Sequence, residues 1–213
     1  MTTVAVIDYG MGNIRSVSRA LEYAGGDCRV VVSYDPQRIL AADHVVFPGV
    51  GALRDCMSEL HRLELDDVVR ECAASRPFLG ICLGMQALMD SSEENDGTAG
   101  LAVVPGEAVR FTATAPAADG RRKIPHMGWN GVRQLRPHAL WEGIPQDSRF
   151  YFVHSYYVRP RDEGVVAATT DYGETFASAI ARDNMFAVQF HPEKSQRAGL
   201  ALLANFIAWD GGA

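Results

Sequence analysis

The chain has 213 residues, 26 of them acidic and 20 basic, for a net charge of -6, with 47% apolar and 22% charged side chains. That balance excludes disordered, collagen-like and coiled-coil architectures. It also argues against a nucleic-acid or anionic-membrane surface, since both need clustered Lys and Arg. The length predicts one domain, residues 1–213, that folds without disulfide staples by burying roughly 70–75% of its unfolded surface.

In chain order, residues 3–7 (TVAVI) form a short β-branched run that predicts a strand. A Gly-rich turn follows, then a helix over 13–24 with Asn13 as its N-cap and Ile14, Val17, Ala20 and Leu21 on one face. Strands are expected at 29–32 and 44–47, each ending in turn chemistry, then a helix over 66–74, a strand at 77–81 and a helix at 83–89. Apolar strands alternating with helices imply a parallel sheet covered on both faces. The second half reads as more antiparallel, with strands at 103–104, 108–111, 150–158, 165–169, 176–181 and 186–190, and a closing helix over 195–210. The expected fold class is therefore α/β: a mostly parallel central sheet with helices on both faces and an antiparallel extension in the C-terminal half. The Ala/Pro/Gly-rich stretch 112–122 predicts a surface loop.

Compartment follows from what the sequence does not contain. The N-terminus has no basic n-region, and the apolar stretches 77–89 and 199–209 fall short of the ~18 residues of a membrane span. Cys28, Cys56, Cys72 and Cys82 form no C-x-x-C pair. A cytoplasmic, reduced protein is expected, with at most one reactive thiol.

The strongest chemical signal is Gly80-Ile81-Cys82-Leu83-Gly84, between an apolar strand and an apolar helix. A nucleophile elbow needs this context, and glycines two positions either side relieve the crowding of a sharp strand-to-helix turn. Cys82 then lies at a helix N-terminus, which favours thiolate, and the Leu83 N–H is placed for an oxyanion. The pentapeptide alone equally fits a buried cysteine in a Gly-bordered turn. His191-Pro192-Glu193, after the strand at 186–190, supplies a base and a group to orient it, because residues i and i+2 of an extended chain share a face. Gly49, Val50 and Gly51 open another strand end, where a peptide N–H can be aimed as a second oxyanion donor. Taken alone they are also an ordinary turn. The sequence Gly10-Met11-Gly12 lacks the third glycine of a dinucleotide fingerprint, Arg15 standing in its place. No residue cluster suggests a metal site, no cofactor is implied, and His44, His61 and His138 are expected at the surface.

With these pieces in this order, the chain resembles the class I (triad) glutamine amidotransferases along essentially its whole length. The segments DYGMGN (8–13), PGVG (48–51), PHMGWN (125–130), FVHSYY (152–157) and HPEKS (191–195) narrow the resemblance to the histidine-biosynthetic branch of that family. The resemblance implies that Cys82 attacks the L-glutamine amide, His191 moves the proton and Glu193 orients His191. It further implies that Gln86, Glu94, Ser155 and Tyr156 hold glutamine. Ammonia would pass to a separate (β/α)8 cyclase subunit in a 1:1 heterodimer, docked near Met11, Asn13, Arg15, Met127, Trp129 and Lys194. Departures from the family pattern are Leu53, where an aromatic is common, and the Pro/Ala-rich stretch before PHMGWN. Glutaminases of pyridoxal phosphate or anthranilate synthesis are rivals that PHMGWN and PGVG count against. An elbow-cysteine hydrolase of another class would not call for H-P-E or Gln86.

Overall fold

Why the strands form is plain from their composition: β1 (Thr3–Ile7), β2 (Arg29–Ser33) and β3 (His44–Gly49) are β-branched or aromatic runs that end at turn residues. A computed structural model describes residues 1–112 and 123–212. Between these strands lie α1 (Ile14–Ala24) and α2 (Pro36–Leu40), and β3 leads into α3 (Leu53–Arg62) and α4 (Asp66–Ser75). Next come β4 (Phe78–Cys82), α5 (Leu83–Ala87), β5 (Ser91–Ser92), β6 (Thr98–Ala99) and β7 (Gly106–Arg110). The C-terminal half supplies β8 (His126–Gly131), β9 (Arg133–Gln134), β10 (Arg149–His154) and β11 (Tyr156–Pro160). It continues with β12 (Val166–Asp171), β13 (Thr175–Arg182), β14 (Met185–Val188) and α6 (Gln196–Ala208).

Among the described residues the main sheet has eight strands in the order β2-β1-β3-β4-β14-β13-β12-β9. The pairs from β2 to β14 are parallel, and those from β14 to β9 are antiparallel. This is the mostly parallel α/β sheet with an antiparallel extension that the sequence predicts. Smaller sheets, β8 with β10 and β11-β7-β5-β6, stand beside it. Side chains alternate across the main sheet: Val4, Val6 and Val46 pack with Val17 and Leu21 of α1 and with Leu202, Leu203 and Phe206 of α6. On the other face, Ala5, Ile7, Val45 and Phe47 pack with Leu53 and Leu60 of α3 and Val69 of α4. Every residue of β3, β4 and β14 is buried. The carboxyl ends of these central strands are thereby held rigidly at one edge.

Several expectations need correction. The sequence reading missed α2 and α3. Asp35 caps α2, accepting from the Gln37 N–H at 2.9 Å, and Pro36 occupies the first helical position. Those residues are turn formers and helix starters alike, and they start a helix here. Helix α3 buries only Leu53, Cys56 and Leu60, a stripe too narrow to stand out in a polar sequence. Residues 103–104 are not a strand, and 150–158 is two strands broken at Ser155. PHMGWN, assigned no element from sequence, is mostly β8, antiparallel to β10 with Trp129 opposite Tyr151. The glycines at 128 and 131 and the polar residues of β8 hide the β period. His44 is buried, not exposed: its Nε2 lies 2.7 Å from the Trp209 carbonyl oxygen and its ring meets Phe206 edge-on. His138 is half-buried between Phe186 and Trp209, and burial, aided by Arg136, lowers its pKa to about 4. His61 is exposed as expected. Residues 113–122 of the expected loop lie outside the described residues.

One contact between elements is unforgiving. A Cβ placed on Gly84 would overlap the Phe47 carbonyl oxygen of β3, so α5 can pack against that strand only with glycine there. Gly84→Ala is expected to destabilise the fold by about 3 kcal/mol. Urea unfolding should show this as a lower midpoint with an unchanged slope.

Candidate active site

The turn from β4 into α5 holds Cys82 at φ 55°, ψ −108°, a left-handed backbone that costs a non-glycine residue of order 1–3 kcal/mol. Strain of this kind persists only where the surroundings enforce it, and here β4 is locked between β3 and β14. Register fixes the neighbours: Gly49 pairs with Cys82 on one side, and Val188 with Ile81 on the other. The chain leaving β14 therefore brings Gln189, Phe190 and His191 past the Cys82 turn.

Cys82 and His191 line one cavity of about 270 Å³ together with Val50, Gly51, Leu83, Gln86, Glu94, Ser155 and Tyr156. All nine are residues the sequence singled out. Gly49 does not line it: buried and paired with Cys82, it underlies the turn and sets where Val50 begins. The Tyr9 hydroxyl donates to the Pro48 carbonyl at 2.9 Å, anchoring the loop at its base, while Gly51 (φ 94°) needs the conformation glycine tolerates.

His191 Nδ1 lies 2.8 Å from Glu193 Oε1, and both side chains are withdrawn from solvent. Ser195 secures the segment: its hydroxyl donates to the His191 carbonyl at 2.6 Å and accepts from the Tyr151 N–H at 3.0 Å. His191 Nε2 is buried with no hydrogen-bond partner. Burial is the largest influence on the ring and pulls its pKa down. The adjoining Cys82 and the Glu193 carboxylate together outweigh it, raising the pKa to about 10. At neutral pH His191 is therefore an imidazolium whose Nδ1 proton is held by Glu193 and whose charge is favoured by the adjoining Cys82.

The cavity contains a second histidine, His154, which the sequence reading missed along with Pro125 and Val153. Burial dominates its environment and lowers its pKa to about 3, so it is neutral at pH 7. Its Nδ1 donates to the Tyr156 carbonyl oxygen at 2.8 Å, so its Nε2 accepts from His126 Nδ1 at 2.9 Å. Both nitrogens are engaged, which leaves His191 as the ring able to exchange a proton in the cavity. The only sequence signal for His154 was its place in FVHSYY, next to two residues already noted.

Glu94 is half-buried, and its Oε2 accepts from the Leu53 N–H at 2.6 Å, capping the first turn of α3. The carboxylate is thereby tied to the helix that follows the Gly49–Gly51 loop. Asn13 stands at the N-cap of α1, as expected, but makes no side-chain cap bond. Its amide donates instead to Glu193 Oε1 at 3.2 Å. Met11 abuts Gly51, Trp129 meets Tyr151 edge-on at 6.2 Å, and Lys194 Nζ lies 5.9 Å from the same tyrosine ring. Arg15, Met127, Trp129 and Lys194 are exposed, so Trp129 is no core aromatic. Among the described residues no group of His, Cys, Asp and Glu could hold a metal ion, and no helix is long and apolar enough to cross a membrane.

The family described as glutamine amidotransferase class-I matches residues 5–209. The chain belongs to this family. It is 63% identical over 211 residues to the imidazole glycerol phosphate synthase subunit HisH of Nitrosococcus oceani, covering 99% of each chain. The protein of the same name from Methylococcus capsulatus is 58% identical over 212 residues, covering 99% of this chain and 98% of the relative. In fold, the chain superposes on PurLQS from Thermotoga maritima with a TM-score of 0.70 at 13% identity, covering 97% of this chain and 98% of that one. A crystallised glutamine amidotransferase gives the same TM-score at 18% identity, with 97% and 99% covered.

The raised His191 pKa has a consequence for stability. The unfolded ring has a pKa near 6.5 and the folded ring one near 10, so its contribution is complete below pH 6.5 and is lost as pH rises toward 10. The stability gap between the parent and His191→Asn should therefore narrow steadily from pH 6.5 to pH 10. Urea titrations across that range measure it; a gap independent of pH would contradict the assignment.

Proposed function

We propose that the chain is the glutaminase subunit of imidazole glycerol phosphate synthase, with Cys82, His191 and Glu193 as its catalytic triad. One observation carries the proposal: a cysteine held at a strained strand-to-helix turn shares a cavity with a histidine whose far nitrogen is fixed by a buried glutamate. The near-complete, 63% identical match to a HisH subunit supports the choice of synthase.

Chemistry follows from the groups in place. The Cys82 sulfur attacks the carboxamide carbon of glutamine, and the carbonyl oxygen takes the negative charge. The Leu83 N–H and a peptide N–H of the Gly49–Gly51 loop would stabilise that oxyanion. The His191 imidazolium gives its Nε2 proton to the departing ammonia, leaving a γ-glutamyl thioester. Neutral His191 then takes a proton from water as the water attacks the thioester, which releases glutamate and restores the thiolate–imidazolium pair. Glu193 keeps the ring oriented through both steps. Gln86, Glu94, Ser155 and Tyr156 would hold the amino-acid end, with Glu94 opposite the substrate ammonium.

Ammonia would enter a (β/α)8 cyclase subunit that forms imidazole glycerol phosphate and aminoimidazole carboxamide ribotide. A 1:1 complex would dock on the exposed face that carries Met11, Asn13, Arg15, Met127, Trp129 and Lys194. The loop at Val50 and Gly51 has the backbone freedom to complete the oxyanion hole only when the cyclase is bound. Losing one oxyanion donor costs roughly 10²–10³-fold, so the isolated subunit should release glutamate slower than the complex by about that factor. Equal rates with and without the cyclase would refute this gating.

Two substitutions test the triad. Cys82→Ala should abolish glutamine-dependent synthesis in the complex while synthesis from free ammonia continues. Glu193→Gln should lower glutaminase turnover by roughly 10²–10⁴-fold, the range for general acid–base help. Retained glutaminase activity in Cys82→Ala would exclude the thioester route.

A further inference from the structure

Gln189 lies between strand β14 and His191 and is completely buried. The proposed triad does not use it, and no sequence motif assigns it a role. Its Nε2 is 3.6 Å from Cys82 Sγ, its Oε1 is 3.1 Å from Gln86 Nε2, and Gln86 Nε2 is 2.9 Å from the Tyr156 carbonyl oxygen. Two side-chain amides thus connect the backbone of β11 to the Cys82 sulfur.

The direction of this chain is fixed by chemistry. An amide side chain can be turned end for end, but a backbone carbonyl can only accept. The Tyr156 oxygen therefore requires the Gln86 NH₂ to face it. With one N–H on Tyr156, the Gln86 NH₂ turns its other N–H to Gln189, which must answer with its oxygen. Gln189 is left with only N–H to present to the sulfur. It can donate to a thiolate, but it cannot accept the proton of a thiol. The remaining outlet for that proton is His191 Nε2, which is buried with no hydrogen-bond partner.

We propose that Gln189 is a further catalytic residue: its amide donates to the Cys82 thiolate, and Gln86 and the Tyr156 carbonyl fix the polarity of that donation. The proposal rests on Cys82 being the nucleophile. It gives Gln86 a second task, since the nitrogen that orients Gln189 is spent inside the protein and only its oxygen remains for substrate. The effect belongs to the chemical step, because Gln189 contacts the reacting sulfur and does not line the cavity.

The test uses the complex with the cyclase subunit and compares the parent with Gln189→Met, which keeps chain length and bulk but removes the donor. A hydrogen bond to a charged partner is worth enough that its loss should lower kcat for glutamine hydrolysis and the rate of Cys82 alkylation by iodoacetamide by roughly ten- to hundred-fold, with KM almost unchanged. A second measurement needs no variant at position 189. In protein labelled with ¹⁵N at glutamine side chains, alkylation of Cys82 should shift the Gln189 amide resonances and leave remote glutamines unmoved. A packing role alone predicts normal kcat and alkylation in a folded Gln189→Met. That result, or a Gln189 amide indifferent to alkylation, would overturn the proposal. The outcome is separate from the triad assignment, which falls only if Cys82→Ala keeps glutaminase activity.

Discussion

The site depends on one parallel strand pairing. With Val188 opposite Ile81, β14 runs beside β4, and the residues just beyond each strand meet at the carboxyl edge of the sheet. Parallel neighbours lie ~4.8 Å apart, so the separation of Cys82 from the chain carrying Gln189 and His191 is set by backbone hydrogen bonds. Both strands are buried throughout, and helices cover the sheet on both faces. Slippage of either strand by one residue would turn its core side chains to the wrong face. The spacing of Cys82 and His191 is therefore as stable as the core itself. The loop after β3 leaves the third strand end in the same row, and Gly51 gives it a positive-φ turn.

Electrostatics then divides the work among similar groups. His154 and His191 share a cavity, yet burial holds the first neutral while Cys82 and Glu193 hold the second charged. Among the cysteines, burial raises the Cys56 thiol to about 12 and the Cys72 thiol to about 11. These two are inert at neutral pH and serve as small apolar fillers within the helical layer. Residue type is uninformative in each case; the environment decides.

This explains which parts of the protein were legible in the sequence. The parallel half could be read because buried strands are continuous apolar runs and the elbow glycines have a steric reason. The proposed triad could be read because Cys82 sits in a motif and His191 and Glu193 are two residues apart. His154 and Gln189 could not be read: each is an ordinary polar residue on or beside a strand, and its role arises from partners 28 to 107 positions away. Helix α3 was missed because its first amide is satisfied by Glu94, a residue 41 positions downstream, with no local cap. Long-range hydrogen bonds leave no periodic trace.

Asn13 shows what such a distant partner costs locally. An asparagine at an N-cap ordinarily folds back to satisfy its own helix, a contribution of ~1 kcal/mol. Here the amide reaches across to Glu193 and α1 begins without that bond. Serine in its place would restore the cap and abandon the carboxylate; aspartate would cap the helix and set a second negative charge beside the first. Position 13 is thus a point where a capped helix and an oriented Glu193 make opposite demands. A screen for thermal stability alone would be drawn toward the wrong residue there.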